Sequence, residues 1–128
     1  YHELDHIIQE IYESGKDPFV LMLDRVKDVR NFGAICRTAE CAGVNAILIP
    51  EQNSAAINAD AIKTSAGALL NIIICRTWNL KMSLQFLKNS GLLITKPKLY
   101  VCNVNEESIK SGNKYTKDFI NKFVFPKQ

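Results

Sequence analysis

The sequence has 128 residues, 47% of them apolar and 23% charged, with a net charge of +3. That length allows one domain, and that composition an ordinary globular core. It excludes a membrane-spanning helix, since no apolar run reaches the roughly 18–20 residues a span needs, and the longest candidate, Leu69 to Cys75, is interrupted by Asn71.

The elements alternate along the chain. Leu4 to Tyr12 has apolar residues at helical spacing, and Gly15 and Pro18 close it. Phe19 to Leu23 is a continuous apolar run of strand length, as expected for a strand covered on both faces. Asn31 to Ala42 predicts a helix, with Asn31 as N-cap and Gly43 just past its end. Ala46 to Ile49 predicts a second buried strand, stopped by Pro50. A short helix over 58–66, a strand over 72–75 and a helix over 80–88 closed by Gly91 follow. Leu99 to Cys102 predicts a fourth strand, and Phe123 to Phe125 the opening of a fifth. Strands separated by helices mean βαβ units, hence an α/β fold with a mainly parallel sheet of about five strands and flanking helices, in a single domain over 1–128. Ligands of open parallel sheets sit beyond the carboxyl ends of the strands. That edge holds Asp24 to Asn31 and the loops after Ile49 and Cys102.

The charge is unevenly spread. Residues 1–80 hold seven Lys/Arg and ten Asp/Glu; residues 81–128 hold nine Lys and three Asp/Glu. The basic end suits phosphates or is simply a solvated surface. The four cysteines, Cys36, Cys41, Cys75 and Cys102, form no Cys-x-x-Cys pair, so no metal is expected and reduced, mostly buried thiols are. No secretory leader pattern is present, which points to a cytoplasmic setting. The chain begins at Tyr1 and not Met, as a fragment would.

His2-Glu3-Leu4-Asp5-His6 matches the H-E-x-x-H zinc signature. It falls at a fraying helix end with no strong third ligand, so a metalloprotease reading is set aside.

The informative stretch runs from Asp24 to Pro50. A strand ends, Asn31-x-Gly33 turns tightly, and a helix begins whose first N–H groups are open to an anion. Arg37 follows, with small residues at Ala34, Ala39 and Ala42 to let the helix lie close to the sheet. An ordinary βα turn with Arg37 as surface charge fits the same pattern.

The residues themselves go further. Asn31-x-Gly33-x-x-x-Arg37-x-Ala39-x-x-x-Gly43 resembles motif 1 of the SpoU/TrmH branch of the SPOUT superfamily, which are S-adenosylmethionine-dependent RNA 2′-O-ribose methyltransferases. Leu23-Asp24-x-Val26-x-Asp28 resembles the strand end leading into it. Lys63-Thr-Ser65-Ala66-Gly67-Ala68 and Trp78-Asn79-Leu80 resemble segments of the members that methylate guanosine in 23S rRNA. The resemblance spans about residues 4 to 125.

It implies a catalytic role for Arg37 near the ribose 2′-hydroxyl, as phosphate anchor or activator of the nucleophile, with Asn31 supporting the same pocket. A guanidinium suits either task because it stays charged and grips a phosphate with two donors. Arg25, Arg30, Lys63 and Ser65 become candidate RNA contacts, although the three cations also read as solvated charge. Cys102 and Asn103 become candidate methyl-donor contacts. The family pattern continues with a Gly-x-Glu loop and a final helix that complete the knot, the donor pocket and much of a dimer interface. Here Pro126 and Gln128 stand where the Gly and Glu are expected, and a proline lacks both the N–H and the backbone freedom of a glycine. The expectation is therefore a SPOUT domain lacking its C-terminal knot segment. Either it is part of an RNA ribose methyltransferase, a homodimer when intact, or a non-catalytic remnant that binds RNA or a partner.

Overall fold

The computed structural model describes residues 3–90 and 114–119. The chain divides into two compact units, residues 1–96 and 97–128. The first contains α1 (Leu4–Glu13), β1 (Val20–Met22), α2 (Val29–Cys41), β2 (Ala46–Pro50), α3 (Ala59–Thr64), a 3-10 turn (Ala68–Leu70), β3 (Ile73–Thr77) and α4 (Leu80–Asn89). In the second, the described residues form one short helix, α5 (Lys114–Phe119), where the sequence pattern predicts no element. The strands expected at 99–102 and 123–125, and Gly91, lie outside the described residues.

The three strands of the described residues form a parallel sheet in the order β1-β2-β3. Its register explains the continuous apolar runs. Leu21, Ile47 and Ile74 share one row and turn to one face, where Phe32, Cys36 and Ala39 of α2 and Ala61 of α3 cover them. The neighbouring rows, Val20-Ala46-Ile73 and Met22-Leu48-Cys75, turn to the other face, against Ile7 and Ile11 of α1 and Leu80 of α4. A strand covered twice must be apolar at successive positions, not alternate ones. β2 is the central strand, and Ile47, Leu48 and Ile49 are buried to 1% or less. Each such side chain stabilises the fold by roughly 1.5–3 kcal/mol relative to an exposed one.

The helix ends follow one rule with one departure. After α2, Gly43 has φ +77, its N–H donates to the Glu40 carbonyl, and the Val44 N–H reaches the Ala39 carbonyl. This is the Schellman arrangement, and glycine fits its left-handed position without steric cost. α1 ends the same way at Gly15, φ +75. α3 repeats the two bonds, but Ala66 occupies the left-handed position at φ +51.

The start of α2 differs from expectation. The helix begins at Val29, and its N-cap is Asp28, whose carboxylate accepts from the Asn31 N–H at 2.7 Å. Asn31 is thus inside the first turn. Asp28 wins the position because an extended residue three places earlier can aim a charged acceptor at that N–H. The same bond occupies a donor that had been expected to be open to an anion.

Candidate functional site

Gly33 does not make a tight turn either. It lies within α2, buried, where α3 crosses. A Cβ added there would fall 2.8 Å from the Thr64 Cβ and 2.9 Å from the Ala61 carbonyl oxygen. The glycine is needed for close approach of two helices, not for backbone freedom. Seven residues further along α2, the Asn71 side chain donates to the Glu40 carboxylate at 2.6 Å. Residues 61–71 therefore run beside the α2 stripe 33-37-40, and Arg37 stands one turn beyond the Gly33 contact. In this way the fold joins the two stretches of sequence that carry the strongest pattern, Asn31 to Gly43 and Lys63 to Ala68.

Arg37 and Asn31 are both exposed on α2, and among the described residues neither side chain has a hydrogen-bond or ion-pair partner. Arg30 and Lys63 are exposed as well. Ser65 is a correction. Its exposure is 0%, and its hydroxyl donates to the Ile62 carbonyl at 2.8 Å while accepting from the Leu69 N–H at 3.3 Å. A hydroxyl so placed builds the turn after α3, and its side chain is not presented to an RNA. Cys102 and Asn103 lie outside the described residues.

The carboxyl edge of the sheet carries an open cleft of about 430 Å³. Asp24 and Arg25 come from the loop after β1, Pro50 to Asn53 from the end of β2 and the loop after it, and Trp78 to Lys81 from the loop after β3 and the start of α4. Arg25 has φ +55 and pairs with Asp24 at 3.4 Å. Both side chains are well exposed, so the pair itself adds little stability. Asn79 fixes the start of α4, its side-chain oxygen accepting from the Lys81 and Met82 N–H groups at 3.0 and 3.2 Å. Of the described residues expected at the site, Arg25 lines this cleft, and Asn31, Arg30, Arg37, Lys63 and Ser65 do not. The strand order predicts a ligand at this edge, and the structure adds Trp78 to its lining. The available signal was an aromatic residue directly after a largely apolar strand.

The cysteines do not supply a nucleophile on the buried side. Burial pushes the Cys36 thiol up to about 11 from its ordinary 9.0 and raises that of Cys75, which keeps both protonated and inert at neutral pH. Cys41 is exposed. Glu3, Asp5 and His6 place ligand-type atoms within 4.8 Å of one another, all on the exposed start of α1, and His2 lies outside the described residues. Among the described residues no helix is long and apolar enough to cross a membrane.

Residues 18–121 match the SpoU rRNA Methylase family. A 23S rRNA (guanosine-2′-O-)-methyltransferase of Yersinia pestis, RlmB, is 38% identical over 94 residues, which cover 73% of this chain and 37% of that protein. An rRNA methyltransferase structure from Sinorhizobium meliloti superposes with a TM-score of 0.50 at 26% identity, over 56% of this chain and 27% of that one. The SpoU methyltransferase AviRb of Streptomyces viridochromogenes, solved with its cofactor AdoMet, shares the fold with a TM-score of 0.56 at 19% identity, over 73% of this chain and 35% of that one. The chain thus spans a little over a third of the length of the curated relative it matches.

Proposed function

Because the chain belongs to the SpoU rRNA methylase family, we propose that it supplies the RNA-facing part of an S-adenosylmethionine-dependent 2′-O-ribose methyltransferase acting on rRNA or tRNA. The observation that carries this reading is the α2–α3 seam. The missing Cβ of Gly33 lets α3 close on α2, and Arg37 emerges one turn away, exposed and free to meet a ligand.

A ribose 2′-hydroxyl is a poor nucleophile. It must be held in line with the methyl donor while its proton is drawn away. Arg37 is the group we assign to this task. Its guanidinium can grip the adjoining phosphate with two donors and, as a fixed positive charge, stabilise the developing alkoxide. Asn31, six residues earlier on the same helix, supports it, and Arg30 and Lys63 hold neighbouring phosphates. S-adenosylmethionine supplies the methyl group. Asn31 and Arg37 are exposed and do not line the cleft, and Cys102 and Asn103 are the residues we assign to contacts with that donor. A cytoplasmic homodimer is the form we infer for the intact enzyme, and a clean monomer in sedimentation at high concentration would count against it.

The test is transfer of labelled methyl from S-adenosylmethionine to rRNA, with the 2′-O-methylnucleotide identified after digestion. Arg37→Ala in the intact enzyme is expected to lower single-turnover transfer by roughly 10²–10⁴-fold. If transfer survives and only RNA affinity falls, Arg37 is an anchor and not an activator. Label appearing on a base and not on a ribose would reject the proposed reaction.

A further inference from the structure

The cleft at the strand ends is not explained by methyl transfer at Arg37, which does not line it. Its lining is unusual in three ways. Trp78, the only tryptophan of the chain, sits on it 81% exposed, among polar and charged neighbours. Arg25 and Lys81, both exposed, bring cations to it from two different elements. Two of the three described non-glycine residues with positive φ, Arg25 at +55 and Asn53 at +61, also line it. Such backbone is retained where the surrounding structure imposes it, most often around ligands.

We propose that this cleft docks one unpaired nucleotide of an RNA strand. Its base stacks on Trp78, its flanking phosphates meet Arg25 and Lys81, and the carboxylates of Asp24 and Glu51 face the N–H edge of the base. An exposed indole beside cations is the arrangement that holds single-stranded nucleic acid with little regard to sequence. The two carboxylates argue against a surface for phosphate alone, since they would repel it; base N–H groups give them partners. The Asp24 carboxylate also holds the Arg25 guanidinium at the cleft, 3.4 Å away. A paired duplex is disfavoured because its bases are already stacked and cannot be laid on the indole. The inference rests on the RNA reading above but concerns a different place, so the enzyme would hold its substrate at two points, Arg37 and this cleft.

The experiment titrates the 128-residue chain with a short labelled single-stranded oligoribonucleotide, and then with the same sequence as a duplex. RNA anisotropy reports binding, and the emission of the sole tryptophan reports where it occurs. Saturable quenching by the single strand is expected. Trp78→Ala is expected to weaken binding roughly 5- to 150-fold, with Trp78→Phe retaining most of it. Arg25→Ala should make the salt dependence of binding shallower by about 0.7 in the log–log slope. Trp78 is mostly exposed, so the alanine variant should fold, and its circular dichroism checks this. RNA that binds with Trp78 emission unchanged, and equally well to Trp78→Ala, overturns the cleft proposal and leaves the methyltransferase reading standing. Equal quenching by the duplex overturns the unpaired-nucleotide proposal. No RNA binding at all removes the docking site, whereas the methyl-transfer assay on Arg37 judges the reaction independently.

Discussion

The α2–α3 seam and the strand-end cleft belong to the same unit and are built from opposite materials. At the seam, Gly33 is buried and a single added carbon would meet backbone and side chain below 3.0 Å. At the cleft, Trp78 and Arg25 are left 81% and 70% exposed. The seam uses a small residue to bring two helices into register, and what it offers a ligand is the exposed Arg37 beyond it. The cleft uses large side chains on loops and offers them directly. Residues in one short motif therefore serve different ends: Gly33 acts through packing, Asp28 through capping, and Arg37 through the charge it presents.

Two aromatic truncations should break the molecule unequally. Phe32, fully buried on the face shared by α2 and the sheet, is expected to cost about 3–5 kcal/mol of unfolding free energy on conversion to alanine. Trp78→Ala should change stability by no more than about 0.5 kcal/mol. Denaturant melts of both variants decide this, and a large loss at Trp78 would mean that the cleft is structural.

Gly33→Ala comes next. Overpacking costs about 1–3 kcal/mol. The upper end applies, because the Ala61 carbonyl cannot rotate away and the gain in helix propensity recovers only about 1 kcal/mol. A net loss near 2 kcal/mol is expected. Thr64→Ala should not restore it, because the Thr64 Cβ and the Ala61 oxygen both remain. Restoration would show that the clash is confined to the threonine methyl or hydroxyl.

The last effect is a pH dependence. The folded chain holds the Cys36 proton to about 11, whereas the unfolded chain releases it near 9.0. Within that window the unfolded state binds fewer protons, so stability should fall as pH rises through it. Unfolding midpoints measured on either side of 9.0 test the sign. Cys36→Ala should flatten the slope, while the exposed Cys41→Ala should leave it unchanged.

Much of the scaffold was legible in the sequence. The apolar runs at 19–23, 46–49 and 72–75 and the glycines after two helices identify a parallel α/β unit, because burial on both faces and left-handed helix ends impose composition directly on the chain. Asn58 and Asn79 cap the helices that follow them, as short polar side chains do wherever an extended residue precedes a helix. Local pattern misassigned the start of α2, since Asp28 and Asn31 are both good caps and only the path of the chain out of β1 selects between them. Ser65 likewise reads as an accessible hydroxyl in one dimension and proves to be a buried turn bond.

The sequence by itself determined the alternation of strands and helices, the two-sided burial of β2, and the spacing of Asn31, Gly33 and Arg37 that marks the family. These are properties of neighbours along the chain, set by side-chain volume, polarity and helical period. Tertiary structure alone decided that Gly33 is a packing contact with Ala61 and Thr64, that the Lys63 to Ala68 segment lies beside α2, the helix that carries Arg37, and that Trp78 shares a cleft with Arg25. Those relations join residues 26 to 53 positions apart, and only the packing of whole elements brings such side chains within reach of one another.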